Sequence, residues 1–166
     1  KRLHAIADKV AHGEYELFKS LTIGRQRTMI MQYLSEQLTA YQQPAIKNIL
    51  NAFCQASFRY IDLSPFKALV DDAMLAQILQ ANKDVLVSLN LSRCSKITDL
   101  SVKILAVCSN TLESLVLAGT GIEGLQLSGW SLFTPGGSWV DRMTFLRLRH
   151  LDVRGCVALK AMRLKA

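Results

Sequence analysis

The chain has no run of about eighteen consecutive apolar residues, so no helical membrane span is expected. None of its four cysteines, Cys54, Cys94, Cys108 and Cys156, lies in a C-x-x-C pair, which argues against a zinc ribbon or a thioredoxin-like redox site. No glycine-rich phosphate loop is present, and His4, His12 and His150 stand alone, with no serine or cysteine nucleophile beside a base. Neither catalysis nor a cofactor is therefore expected. The first residue is Lys1 and no charged, apolar and small-residue pattern follows it, so a trimmed or partial chain without a visible targeting segment is expected. What remains is 166 residues, 50% hydrophobic, enough for one domain with a continuous core.

Four stretches of this chain superimpose. Phe58-xx-Ile61-x-Leu63-xx-Phe66, Leu86-xx-Leu89-x-Leu91-xx-Cys94, Leu112-xx-Leu115-x-Leu117-xx-Thr120 and Leu148-xx-Leu151-x-Val153-xx-Cys156 share the form L-xx-L-x-L-xx-C. That is the spacing by which a leucine-rich repeat turns a short strand inward and stacks it on its neighbour. The periods are 28 residues from Ile61 to Leu89, 26 to Leu115 and 36 to Leu151. The last reads as one repeat with an insertion of roughly ten residues. A helix-like block recurs with the strands, at Ile49-Leu50, Ile78-Leu79 and Ile104-Leu105.

Residues 1–42 lack the strand motif and read as helical. Leu3, Ile6, Val10, Tyr15, Leu17 and Phe18 give a rough helical spacing broken at Gly13, and Met29, Ile30, Tyr33, Leu34 and Leu38 give another helix from about Arg27 to Thr39, with the break between them at Thr22–Arg25. The end of a stack needs such a cap, because the first repeat otherwise leaves its apolar side in water. Pro44 suits the first turn of a third helix over Gln43–Ala56. The expected division is a helical cap over 1–42 and about four repeats over 43–166. Asp71-Asp72 before a helix at Ala73–Gln80, and Thr98 or Asp99 before one at Leu100–Val107, read as helix caps rather than catalysts.

The fourth repeat departs from the pattern. Across 128–141 a Trp-, Gly- and Pro-bearing insertion stands where a helix would come, and Pro135-Gly136-Gly137 does not sit inside a helix. Trp130 and Trp139 are thus candidate contact residues, although a tryptophan is more often packing than anchor.

Leu89, Asn90, Leu91, Ser92, Arg93 and Cys94, followed by Ile97-Thr98-Asp99, Leu105, Ala106, Cys108 and Leu115, resemble the cysteine-containing subclass of leucine-rich repeats. This subclass is typical of the substrate-recognition subunits of F-box-type ubiquitin ligases and occurs in effectors that intracellular bacteria deliver into eukaryotic hosts. The likeness is strongest over 86–120. Cys108 sits one position early, Phe66 and Thr120 stand where a cysteine is usual, and 1–42 shows no F-box. The resemblance implies an α/β solenoid with parallel strands on a concave face and helices on a convex one.

Function follows from the outward strand positions. They form three rows: Tyr60, Ser88, Ser114 and His150; then Asp62, Asn90, Val116 and Asp152; then Ser64, Ser92, Ala118 and Arg154. Mostly small and polar, these rows could seat a helix or loop of a protein partner, and Tyr60, Asp62, Asn90, Ser92, Val116, His150, Asp152 and Arg154 are the candidate contacts. Each taken singly could equally be merely solvated. Asp62 and Asp152 stand about three steps of roughly 5 Å apart, too far for a catalytic carboxylate pair.

The alternative is a polyanion surface. The net charge is +7, and residues 141–166 hold Arg142, Arg147, Arg149, Arg154, Lys160, Arg163 and Lys165 against Asp141 and Asp152. No aromatic interleaving accompanies this charge, so nucleic acid is the lesser expectation. Buried reduced thiols point to a cytoplasmic, reducing compartment, or to host cytosol for an effector, and a monomer is expected.

Overall fold

A computed structural model describes residues 1–22, 24–122 and 147–156. Their core is built from the apolar positions of the recurring motif. Ile61, Leu89 and Leu115 are the middle residues of three-residue strands β1 (Tyr60–Asp62), β2 (Ser88–Asn90) and β3 (Ser114–Val116), and all three are buried while their neighbours are exposed or half-buried. With β4 (His150–Asp152) these form a parallel sheet in the order β1-β2-β3-β4. Ile61, Leu89, Leu115 and Leu151 are in register, as are the two outward rows that flank them.

The ladder repeats bond for bond. Arg59 O accepts from the amides of Val87 and Ser88, Val87 O from Glu113 and Ser114, and Glu113 O from Arg149 and His150. At the other end of each strand, Leu63 donates to Asn90 O, Leu91 to Val116 O and Leu117 to Asp152 O. A parallel strand this short has few bonds of its own, so the lead-in and exit residues carry much of the pairing.

Six α-helices occur among the described residues: α1 (Arg2–Ala11), α2 (Glu16–Ser20), α3 (Arg25–Glu36), α4 (Gln43–Gln55), α5 (Asp72–Asn82) and α6 (Leu100–Leu105). Pro44 lies in the first turn of α4. Helices α4, α5 and α6 pack side by side behind the sheet, and α1 lies against α3 and α4. One continuous core joins the N-terminal helices to the sheet, from Ile6, Val10 and Phe18 through Ile49 and Phe53 to Leu79, Leu105 and Leu117. Among the described residues no helix is long and apolar enough to cross a membrane.

Several boundaries differ from the sequence expectation. The second helix of the cap starts two residues earlier and stops at Glu36, and Leu38–Ala40 forms a separate 3-10 turn. Residue Asp72 lies within α5 rather than before it, while Asp71 alone caps, its Oδ1 accepting from the Met74 amide at 2.8 Å. Helix α6 ends at Leu105 and tightens into a 3-10 turn, Ala106–Cys108. Its first turn is capped by Thr98 Oγ1, which accepts from the Leu100 amide at 3.3 Å.

The helix-end and turn positions hold the rungs together. Asn82 is fully buried at the end of α5: its Nδ2 donates to Phe53 O and Ile78 O, and its Oδ1 accepts from the Phe58 amide at 2.7 Å. It thereby pairs the Phe53 carbonyl in the last turn of α4 and the Phe58 amide between α4 and β1, and adds a second donor to the Ile78 carbonyl within α5. The four cysteines are unpaired and three are buried. Cys94 Sγ reaches Leu63 O of the preceding rung at 3.7 Å, and Cys156 Sγ donates to Leu117 O at 3.2 Å. Burial, with Asp62 adding a smaller push, raises the Cys94 thiol to about 11, and burial chiefly does the same to Cys108. These thiols are packing groups with weak donors rather than nucleophiles.

Candidate functional site

The open face of the sheet presents the outward rows. Tyr60, Ser88, Ser114 and His150 lie side by side, and so do Asp62, Asn90, Val116 and Asp152. The polar members of the second row are already engaged. Asp62 Oδ1 accepts from the amide and hydroxyl of Ser64 (2.9 and 2.6 Å), and Asn90 Oδ1 accepts in the same way from Ser92 (2.9 and 2.6 Å). Asp152 accepts from the amide and guanidinium of Arg154, the closest contact being 2.6 Å. The Arg154 side chain, then its amide, hold the Asp152 carboxyl down to about 2.

These are Asx turns that fold the chain away from each strand. Where Val116 replaces the acceptor, Ala118 replaces the hydroxyl, so the pair changes together. Asp62, Asn90 and Asp152 thus carry a structural duty besides any contact they make; Asp62 and Asn90 each keep one further polar atom for a ligand, whereas Arg154 engages both oxygens of Asp152.

Helix α3 turns this face into a groove. Apolar Ile30, Met31 and Leu34 bury one side of the helix in the core. Arg27 fixes its start: the side chain is only 7% exposed, and Nη2 donates to Lys19 O at 2.8 Å while Nη1 donates to Ser57 O at 3.3 Å, just ahead of β1. Burial lowers the pKa of this guanidinium. So clamped, α3 stands beside β1 and walls a cavity of about 520 Å³. One wall is Thr28, Gln32, Ser35 and Glu36; the other is Tyr60, Asp62, Ser88 and Asn90.

The floor is apolar and stiff. Phe53, Phe58 and Ile61 line it and are themselves buried, and Phe53 packs edge-on to Phe58 (5.2 Å between centroids) and to Phe66 (6.0 Å). Tyr60 stands 58% exposed over this floor. An amphipathic ring, exposed in a groove with a rigid bottom, has the character of a binding anchor.

The groove continues in both directions. Toward α3's start it shares Thr28, Gln32, Phe58 and Tyr60 with a cleft bordered by Arg25, Met29 and Arg59. Toward the strand exits it shares Pro65 and Asn90 with a cleft of about 680 Å³ that holds Lys67, Arg93 and Arg154. The trough therefore runs past four of the expected contacts, Tyr60, Asp62, Asn90 and, in the exit cleft, Ser92, and ends at a fifth, Arg154. Val116, His150 and Asp152 are on the same face but line none of these clefts. Trp130 and Trp139, with Arg142, Lys160, Arg163 and Lys165 of the basic end, lie outside the described residues.

The imidazoles are dispersed. His4 stacks on Tyr33 at 4.9 Å, His12 Nδ1 donates to Asp8 O at 2.6 Å, and His150 is on β4. Among the described residues no group of histidines, cysteines and carboxylates could hold a metal.

Sequence reasoning missed the wall. Nothing in the spacing of α3 ties it to β1, and the one available sign, an arginine at position 27 on the apolar side of an amphipathic helix, gives no partner. The chain matches no family model, no curated protein and no solved structure.

Proposed function

We propose that this chain is a leucine-rich-repeat solenoid with a helical N-terminal cap, and that it is a non-catalytic binding module for a segment of another protein. The occupied surface is the trough between α3 and the open strand face, with Tyr60 as its anchor. The observation that carries this is the continuity of the groove: an apolar floor under an exposed tyrosine, flanked by polar rims on two different elements. Ligand sites of proteins combine an apolar floor with a few fixed polar groups in this way. The volume fits several side chains of an extended or helical segment rather than a large folded surface.

Four unpaired thiols suit a reducing compartment, which is where a substrate receptor of a ubiquitin ligase or an effector in host cytosol would work. The test is selection of peptides from a displayed random library, followed by titration of the winners against wild type and Tyr60→Ala. Loss of an anchor costs about 2 kcal/mol, roughly thirtyfold in affinity. The melting temperature should barely move, since Tyr60 is largely exposed. Equal affinity for the two proteins would place the site elsewhere.

A further inference from the structure

We infer that the exit cleft of Lys67 and Arg93 receives an acidic side chain, Asp or Glu, of the segment held in the trough. This rests on the trough being the binding site. Three observations support it: the charge of the cleft, the backbone at Arg93, and the charge of the adjoining groove.

The cleft is lined by Lys67, Arg93 and Arg154 and by no carboxylate. Arg154 is tied to Asp152. Among the described residues, Lys67 and Arg93 have no acidic partner, and both are exposed. Two cations beside the hydroxyl of Ser92 thus line a cleft to which no described residue contributes a carboxylate.

Arg93 holds its place against the local backbone. Its φ is +64°, the only positive φ at a non-glycine among the described residues. The matching turn positions of the next two rungs are Gly119 (φ +71°) and Gly155 (φ +75°). In the first rung the position is Pro65, whose ring forbids this conformation, and the chain makes a 3-10 turn there instead. Glycine takes the left-handed region freely, whereas a side chain is strained in it.

The turn tips are stacked closely: a Cβ on Gly119 would lie 3.6 Å from Arg93 Cγ. Arg93 therefore projects the one long side chain beside two bare tips. Strained non-glycine residues persist preferentially where the side chain is used.

The adjoining groove says which anion fits. Glu36 and Asp62 line the part beside Tyr60, so a strand of regularly spaced phosphates would be repelled there. A peptide that places neutral or apolar groups over Tyr60 and one carboxylate at Arg93 meets no such repulsion. From Tyr60 to the exit turn is roughly 10 Å along the strand, about three to four residues of extended peptide. The guanidinium fork of Arg93 matches a carboxylate in two-point fashion, and Lys67 adds charge.

The experiment uses peptides selected on the intact chain, each made also with its acidic residue changed to the amide, and titrated at two salt concentrations. The proteins are wild type, Arg93→Gly, Arg93→Lys, Lys67→Ala and Tyr60→Ala. The inference predicts selected peptides with an acid three to four residues from an apolar anchor. It also predicts a loss of roughly tenfold or more on amide substitution in wild type, with little further loss when that peptide meets Arg93→Gly. Arg93→Lys should recover part of the affinity. Arg93→Gly should melt higher than wild type, because relief of backbone strain accompanies loss of binding.

Peptides without acid preference, weakened by Tyr60→Ala but not by Arg93→Gly, would overturn the acidic contact and leave the trough standing. Peptides indifferent to both variants would overturn the two together. Tighter binding of single-stranded polyuridylate than of any peptide, abolished in Arg93→Gly, would assign the cleft to a polyanion and sink the inference.

Discussion

The N-terminal helices and the rungs after Phe58 share one core but are fastened in different ways. In the rungs the same few features recur: a carbonyl that serves two amides of the next strand, an Asx turn at three of the four exits, and a buried side chain, Phe66, Cys94, Thr120 or Cys156, beneath the turn. In the cap each bond is made once. Tyr15 Oη donates to Asn48 O at 2.8 Å, Asn48 Nδ2 to Ala11 O at 3.1 Å, and Arg27 to Lys19 O and Ser57 O. Repetition makes a surface that can be lengthened; unique contacts make an end that can be aimed. Arg27 aims α3 at β1, and the trough exists only where the two kinds of fastening meet.

Breaking the junction of the two regions should have the largest effect. Asn82 joins the ends of α4 and α5 to the lead-in of β1, so Asn82→Ala takes the partner from the Phe58 amide and the Phe53 carbonyl in the core. We expect a loss of about 3 kcal/mol in chemical denaturation. Tyr15→Phe removes a half-buried hydroxyl that donates to Asn48 O and accepts from Asn51 Nδ2, and should cost about 1 kcal/mol. Equal costs would mean that the cap and the rung junction matter alike to stability.

The smallest expected effect sharpens the comparison within the rungs. Asp72 on α5 accepts from the Thr98 amide at 2.9 Å, the Thr98 hydroxyl at 2.6 Å and the Ser101 hydroxyl, which link it to the next repeat. Burial raises its pKa, but the bonds from Ser101 and Thr98 outweigh that and leave it below the ordinary value. A carboxyl depressed in the folded state stabilises above its unfolded pKa of about 3.9, and that stabilisation is lost as pH falls through the lower folded value. Solvent screening keeps the contribution below about 1 kcal/mol. Asp72→Asn should be slightly less stable at neutral pH and should lose less on acidification below about pH 4. An unchanged acid limb would show that the link to Thr98 and Ser101 is not formed in solution.

The same contrast explains what was legible in the sequence. Register was readable because Ile61, Leu89, Leu115 and Leu151 repeat one spacing, and a one-residue slip would turn every apolar side chain to water. The burial of Cys94 and Cys156 followed from the same motif, whereas Cys54, off the motif, is only half-buried. The Asx turns were written in Asp62-x-Ser64 and Asn90-x-Ser92, yet those residues read as solvent-facing contacts, because alternation gives a face and not a hydrogen bond.

Asn82 left no sign beyond a polar residue at a helix end. The α3 wall was not legible at all: Thr28 and Gln32 meet Tyr60 through tertiary packing of segments about thirty residues apart, and no periodicity encodes that. Helix lengths erred at α3 and α6, where a 3-10 turn takes over the last residues.

The central claim is that α3 and the strand face bind as one surface. The most direct measurement is a ¹H–¹⁵N NMR titration of the intact chain with a selected peptide. The amides of Thr28 and Gln32 on α3 should shift together with those of Tyr60, Ser88 and Asn90, with a single dissociation constant. Shifts confined to the strands, or centred on α5 and α6, would contradict it.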